Sequence, residues 1–254
     1  MRVAVAGASG NIGSHTMTAL QRHGHDPVPI SRSHGVDLLT GQGLAEFLSD
    51  VDVVVDAISA PPADREATMM YFATTTENLL TAERQAGVRH HVLLSIVEVH
   101  RIAGTAHYSG KREQERLVST GPVPWTIVPA TQFFDFAATV AGWTERDGTA
   151  YLAPLLVQPI APADVGEFLA EAAGGSPQGR HPGMAGPDRH DLVDMARRTH
   201  QAMGRDMKIV PTWEAILGPD MAGNVLLPGP DARIAPTTFD DWLAEQEAER
   251  VRPG

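Results

Sequence analysis

The sequence contains no cysteine, which excludes disulfides, thiolate catalysis and cysteine-ligated metal sites. Lysine is almost as rare, because Lys111 and Lys208 are the only two among 20 Lys and Arg residues. The N-terminus lacks the apolar core of a signal peptide, and no apolar run approaches the roughly 20 residues that cross a bilayer. We therefore expect a soluble, cytoplasmic protein with no membrane partner.

Positive charge is also scarce, since the formal net charge is -11. Such a chain lacks the broad basic surface that grips nucleic acid, although one nucleotide in a local basic pocket remains compatible with it. With 254 residues, 43% of them hydrophobic, the chain can bury the core of one α/β domain. We expect a small-molecule partner and no nucleic acid; the sequence carries no signal for an oligomeric state.

Short apolar runs rich in Val and Ile alternate with helical patterns in the first half of the chain. The runs predict strands at residues 3–6, 28–30, 51–58, 91–96 and 125–128. The helical patterns cover residues 11–23, 43–48, 65–86 and 107–119. This order predicts an α/β fold with a doubly wound parallel sheet of the Rossmann type.

After residue 130 the alternation fades, which predicts a smaller part beside the sheet. We expect a single domain over 1–254, with a Rossmann core at 1–130 and a small C-terminal, substrate-side α/β cap at 131–254. Within the cap we predict a strand at 155–160 and helices at 163–173, from an N-cap at Asp188 to residue 203, and at 239–249. Thr238 and Asp241 fit the capping box of the last helix.

A glycine-rich loop joins the first predicted strand to the first helix. Gly7 allows a sharp turn, Gly10 lets a pyrophosphate approach the backbone, and Gly13 lets the helix pack close to the sheet. Unpaired N–H groups at the helix start favour phosphate. The predicted set is Gly7, Ser9, Gly10, Asn11, Ile12 and Gly13; the alternative is a glycine-rich turn with no ligand.

The tip of the second strand indicates which dinucleotide binds. An NAD site usually has a carboxylate here, whereas this chain has Ser31, Arg32 and Ser33. An arginine can fork onto the 2′-phosphate of NADP, and flanking hydroxyls can add hydrogen bonds. The sequence therefore favours NADP(H), with a solvent-facing Arg32 as the alternative.

Tyr108 and Lys111 are three residues apart, so in a helix they share a face. A tyrosine that donates a proton needs a nearby cation, because its ordinary pKa is about 10. An ammonium can also hold both ribose hydroxyls of a nicotinamide nucleotide. This is a physical reason for one of the two lysines to stand at position 111.

Seven segments together resemble the extended and atypical short-chain dehydrogenase/reductases, in particular their NmrA-like, NAD(P)H-binding reductase branch. They are the GxxGxxG of residues 7–13 and residues 35–38, 51–59, 87–97, 108–115, 124–133 and 158–165. Three departures stand out. The common family spacing is Tyr-x-x-x-Lys, Pro129 stands where the branch often has Arg, and Glu98 where it often has Gly.

The resemblance implies roles for individual residues. Lys111 would orient the cofactor, Tyr108 would supply a proton and Ser95 would align a carbonyl. Residues 35–38 would form a short third strand. The implied cofactor contacts are Asp37 at the adenine, Ala57, Ile58 and Ser59 at the ribose, and Pro129 and Thr131 behind the nicotinamide.

The predicted function is NADPH-dependent reduction of a small apolar carbonyl, quinone or conjugated acceptor by hydride transfer. Phe133, Phe134 and Trp143 are candidates for an apolar substrate pocket, with core packing as the alternative. The alternatives in function are a non-catalytic NADP(H)-sensing protein and an epimerase or lyase that uses bound NADP. The histidine pairs lack metal-ligand spacing, so we expect no metal.

Overall fold

The computed structural model describes residues 1–251, along which twelve strands and eight helices follow one another. The strands are β1 (Arg2–Ala6), β2 (Asp26–Ile30), β3 (Val53–Asp56), β4 (His90–Ile96), β5 (Trp125–Ala130), β6 (Thr149–Leu152), β7 (Leu156–Val157), β8 (Gly179–Arg180), β9 (Met184–Ala185), β10 (His190–Asp191), β11 (Lys208–Pro211) and β12 (Arg233–Ile234). The helices are α1 (Asn11–Arg22), α2 (Leu44–Phe47), α3 (Arg65–Ala86), α4 (Ala106–Thr120), α5 (Phe136–Thr144), α6 (Pro162–Gly174), α7 (Leu192–Ala202) and α8 (Phe239–Val251).

A central parallel sheet carries the fold, in the order β12-β9-β5-β4-β3-β1-β2, with β8 also paired to β5. Successive side chains of β1 show why both faces are covered. Val3 and Val5 pack in the cluster with α1 and α6, whereas Ala4 and Ala6 pack in the cluster with α3 and α4. The predicted doubly wound α/β fold is confirmed.

The C-terminal part has its own apolar cluster, to which α5, α7 and α8 contribute. Two small two-stranded sheets, β10 with β7 and β11 with β6, lie within this part. Strands β8, β9 and β12 return to the central sheet, which the sequence did not predict. No helix among the described residues is both long enough and apolar enough to span a membrane.

Two local predictions were wrong where an aspartate carboxylate caps a turn. Residues 35–38 form no strand but a turn, because the Asp37 carboxylate accepts the Leu39 N–H at 2.9 Å and the Asp37 N–H donates to Gln42 at 3.0 Å. The helix expected to start after Asp188 starts at Leu192, because the Asp191 carboxylate caps its first turn. The capping box of Thr238 and Asp241 at α8 is present, with the Asp241 N–H donating to the Thr238 hydroxyl at 3.1 Å.

Candidate active site

The loop between β1 and α1 is shaped by its glycines. Gly7 has φ of +82°, and a Cβ there would lie 2.9 Å from the Ala57 carbonyl oxygen. A Cβ on Gly13 would overlap the Gly7 carbonyl, so the fold itself requires both glycines. Gly10 differs, since a Cβ there would meet only the Gly7 oxygen at 3.2 Å. Gly10 is therefore far less constrained by the fold than Gly13, as in a cradle that a ligand fills.

The first turn of α1 is open to an anion. Gly10 precedes the helix and offers no side-chain cap, and the first turn has no acidic residue. The backbone N–H groups in the first turn of the helix are thus available as hydrogen-bond donors to a phosphate. Gly7, Gly10 and this helix start fit the pyrophosphate of a dinucleotide.

The tip of β2 carries a polar cluster that includes a residue beyond the predicted set. The Ser31 hydroxyl lies 2.9 Å from that of Ser33 and 2.8 Å from His34 Nδ1. Arg32 is exposed, and its guanidinium has no hydrogen bond or ion pair to another residue of the described chain. Asp26 lies at the opposite end of the strand and pairs with Arg2 at 3.8 Å. The tip thus offers a guanidinium and hydroxyls with no opposing carboxylate.

Lys111 is deeply buried, and its ammonium makes three hydrogen bonds. It donates to the carbonyls of Ile58 at 3.2 Å and Leu94 at 2.9 Å, and to the Gln114 side chain at 2.8 Å. The Gln114 amide in turn donates to Asp56 at 2.8 Å. Burial lowers the pKa of Lys111 to about 8. All three N–H donors of the ammonium are therefore in use. Lys111 can bind a ribose hydroxyl only if it gives up one of these three hydrogen bonds.

Ser95 faces α4, where its hydroxyl bonds to Glu115 and not to Lys111 or Tyr108. Its hydroxyl donates to the Glu115 carboxylate at 2.5 Å, and both residues are buried. Glu115 also accepts from His100 at 2.6 Å and from Arg180 at 2.5 Å. Ser95 makes no hydrogen bond to Tyr108 or Lys111, so the predicted triad is not joined by direct contacts.

Tyr108 belongs to the cluster of the C-terminal part, and its ring packs against Gly104. Burial raises its pKa to about 12, so the phenol is protonated at neutral pH. His107, which the sequence interpretation passed over, stands four residues before Lys111. Burial, with the charge of Lys111 in addition, lowers its pKa to about 4. The His-x-x-x-Lys spacing, which places both residues on one face of the helix, was the signal that could have identified His107 as a neighbour of Lys111.

The segment after β5 links the two parts of the chain. Pro129 lies opposite Ser95 in the register of β5 and β4. Farther along, the Asp135 carboxylate accepts a hydrogen bond of 2.9 Å from the Asn11 side chain at the start of α1. Between them stand Thr131 and Gln132, of which Gln132 was not predicted. The loop therefore lies beside the glycine cradle.

The three predicted aromatic substrate contacts are in different environments. Phe134 is fully buried against Phe239 and Trp242, with ring centroids 5.4 and 5.8 Å apart. This placement corrects the pocket expectation for Phe134, which packs in the core. Phe133 is half-buried, and Trp143 is 52% exposed. These two stay open to a ligand.

A cavity of about 220 Å³ lies beyond the ends of β4 and β5. Glu98, at its wall, has φ of +54°, the left-handed conformation that glycine adopts without strain. This conformation accounts for the glycine that the resembled branch often has here. Among residues 1–251, no group of three His, Asp or Glu could hold a metal ion. The two histidines of β4 have other partners, since His90 pairs with Thr126 and His91 with Glu83.

Comparison with known proteins identifies the family of the chain. Residues 7–174 match the model of a family described as NAD(P)H-binding, which confirms the predicted resemblance and dinucleotide class. None of the curated proteins matches the sequence.

Solved structures share the fold at low identity. A nucleoside-diphosphate-sugar epimerase from Staphylococcus aureus is 17% identical, with a TM-score of 0.71 over 96% of this chain and 99% of that one. An NADPH-dependent quinone oxidoreductase from Escherichia coli, complexed with NADPH, is 15% identical, with a TM-score of 0.64 over 83% and 78%. A triphenylmethane reductase from Citrobacter sp., complexed with NADP(H), is 16% identical, with a TM-score of 0.64 over 84% and 79%. At such identities the likeness concerns the fold.

Proposed function

The chain belongs to the NAD(P)H-binding family, and from that premise we propose that it is an NADPH-dependent reductase of a small carbonyl, quinone or conjugated acceptor. The observation that carries the proposal is the glycine cradle together with the carboxylate-free tip of β2, where Arg32 stands. Two proteins of the same fold are an NADPH-dependent quinone oxidoreductase and a triphenylmethane reductase complexed with NADP(H).

The residues present fit NADPH along the edge where the parallel strands end. Arg32 would hold the 2′-phosphate, Gly7 and Gly10 the pyrophosphate, and Ile58 the ribose side. When bound, NADPH supplies a hydride to the acceptor. Lys111 would orient the nicotinamide ribose by exchanging one of its present hydrogen bonds.

The proton that completes reduction would come from Tyr108 or from water. The high pKa of Tyr108 keeps its proton in place at neutral pH, and the positive charge of Lys111 would ease its release. Ser95 would act indirectly. Its hydrogen bond to Glu115 would hold in place the cavity wall next to Pro129. We further propose that the core at 1–130 and the part at 131–254 work as one unit, because β9 and β12 complete the sheet.

One observation favours a second candidate, a non-catalytic NADP(H) sensor. The donors of Lys111 and the hydroxyl of Ser95 are all engaged by the protein itself. In a sensor these bonds would persist after the nucleotide binds. An epimerase or lyase that retains NADP is a third candidate, which the shared fold of the sugar epimerase supports.

The test compares Lys111→Met with Lys208→Met, a variant of the other lysine, which is exposed. We expect Lys111→Met to weaken NADPH binding modestly and to cut NADPH oxidation by a panel of quinones, enones, ketones and imines at least a hundredfold, because hydride transfer depends on near-attack geometry. Lys208→Met should leave both unchanged. A thermal melt establishes that each variant is folded, and Lys111→Arg serves as a second variant.

The parent protein decides between the candidates. If it binds NADPH but no acceptor of the panel oxidises the nucleotide above background, the reductase proposal is refuted. A nucleotide-dependent change in assembly would then support the sensor.

A further inference from the structure

The backbone of the segment that follows β5 is held firmly in place. The Thr131 N–H donates to Met184 at 3.0 Å, and the Gln132 carbonyl accepts from the Ile160 N–H at 2.8 Å. The Phe134 N–H donates to the Ile160 carbonyl at 3.1 Å. Because the segment is fixed on both sides, its side chains cannot find new partners by a shift of the backbone.

Two side chains of this segment are buried without partners. Thr131 is 3% exposed and Gln132 is 8% exposed. Within residues 1–251, neither the Thr131 hydroxyl nor either polar atom of the Gln132 amide has a hydrogen-bond partner. Buried polar groups are nearly always paired, since an unpaired one destabilises the fold. A buried glutamine with no partner thus resembles the strained and unpaired groups that proteins keep at ligand sites.

The position of Gln132 indicates what would satisfy it. Gln132 lies between the end of β5 and Asp135, which contacts Asn11 at the start of the phosphate-binding helix. Its amide is also a neighbour of the Tyr108 phenol and lowers the pKa of that phenol against the rise caused by burial, although the two groups do not meet in hydrogen-bonding geometry. In a doubly wound sheet a dinucleotide crosses the carboxyl ends of the strands. With its phosphates at α1 and its adenine at β2, a bound dinucleotide would extend its far half toward this segment.

We propose that Gln132 is a specificity-determining residue whose amide, together with the Thr131 hydroxyl, pairs with a carbonyl or carboxamide group of a bound ligand. An amide offers both donors and an acceptor, so a planar carboxamide or carbonyl can pair with it and an apolar group cannot. The inference rests on the proposed function, because the group has two sources there: the nicotinamide or the acceptor beside Tyr108.

The experiment replaces the amide by a side chain of similar length without polar atoms. Gln132→Met is compared with Gln158→Met, because Gln158 is equally buried but donates to the Gly186 carbonyl at 2.9 Å. In the ligand-free protein we expect Gln132→Met to raise Tm and Gln158→Met to lower it, because only the first removes an unpaired buried amide.

Binding measurements separate the two sources. Calorimetry gives the Kd of NADP⁺, of its 3-acetylpyridine analogue, which lacks the amide N–H groups, and of 2′-phospho-ADP-ribose, which lacks the nicotinamide. If the nicotinamide is the partner, the parent prefers NADP⁺ to the analogue by roughly tenfold, and Gln132→Met loses that preference. The affinity for 2′-phospho-ADP-ribose stays unchanged. If the acceptor is the partner, the preference persists, but menadione binds the NADP⁺-loaded variant roughly tenfold more weakly.

Gln132 has only a packing role if Gln132→Met lowers Tm as Gln158→Met does and leaves every affinity unchanged. That outcome overturns this inference but not the proposed function. If the parent binds neither NADP⁺ nor 2′-phospho-ADP-ribose, both are overturned.

Discussion

At the scale of single residues, we propose that the tip of β2 decides which dinucleotide binds. Arg32 is exposed there, while the Ser31 and Ser33 hydroxyls and His34 bond to one another beside it. A guanidinium can make two parallel hydrogen bonds to a phosphate, and a ribose hydroxyl offers it much less. The charge of Arg32 would therefore favour NADPH over NADH.

We predict that Arg32→Ala weakens NADPH binding about ten- to a hundredfold, the equivalent of about 1.5–3 kcal/mol, and leaves NADH binding unchanged. Calorimetric titration of both nucleotides measures the effect. Arg205→Ala, a variant of another exposed arginine, controls for the loss of one positive charge. Equal affinities of the parent for NADPH and NADH would contradict the assignment.

Side-chain direction is what the sequence could not supply at this scale. The scarcity of lysine singled out Lys111, and the structure places it against Ile58 in the predicted cofactor loop. Its contacts with two backbone carbonyls follow from the meeting of β3 and β4, which no local pattern encodes. The unpaired amide of Gln132 was invisible for the same reason, because partners are a property of the folded chain.

At the scale of elements, segments with a clear hydrophobic period were predicted well. Segments without such a period were not. The predicted helix at residues 65–86 is α3 as observed, and the predicted helix at 11–23 differs from α1 by one residue. Helix α5 was missed because its residues are apolar nearly all round, so it shows no amphipathic period. The strand expected at 155–160 shrinks to β7, since only two residues pair with β10.

The start of α1 allows a matched pair of substitutions. We predict that Gly13→Ala destabilises the protein by roughly 1–3 kcal/mol or more, because its Cβ would overlap the Gly7 carbonyl. Gly10→Ala should destabilise the protein less than Gly13→Ala does, since Gly10 has φ of -83° and its Cβ would meet only the Gly7 carbonyl oxygen, at 3.2 Å. It should nevertheless weaken NADPH binding at least tenfold, because the Cβ occupies the space of the pyrophosphate.

Denaturant melts and calorimetry read the two effects separately. Retained NADPH affinity in a folded Gly10→Ala protein would show that the nucleotide binds elsewhere. The pair thus distinguishes a glycine that the fold needs from one that the ligand needs.

At the scale of the whole molecule, the two parts of the chain meet beside the glycine loop. The Asn11 side chain at the start of α1 donates to Asp135, the residue before α5, at 2.9 Å. This contact spans the glycine cradle and the C-terminal part. Burial raises the pKa of Asp135 above its ordinary value of 3.8, so its charge is already disfavoured before any ligand arrives.

A pyrophosphate at the start of α1 adds negative charge close to the Asp135 carboxylate. We predict that the bound nucleotide raises the pKa of Asp135 further, so that binding takes up a proton. The affinity for NADPH should then fall as the pH rises through the range above the ordinary aspartate pKa, where the free protein loses this proton first. Calorimetry in two buffers of different ionisation enthalpy measures the proton uptake.

Asp135→Asn removes the charge and keeps an oxygen that can accept from Asn11. We predict a roughly three- to tenfold gain in NADPH affinity at neutral pH, as expected for the loss of one like charge near the phosphates, together with a flatter pH dependence and no proton uptake. Asp206→Asn, a change of an exposed carboxylate elsewhere in the C-terminal part, changes the net charge equally and should not alter the affinity. If both variants bind NADPH like the parent, Asp135 lies too far from the phosphates for an electrostatic interaction. The nucleotide then does not pass between the two parts of the chain as proposed.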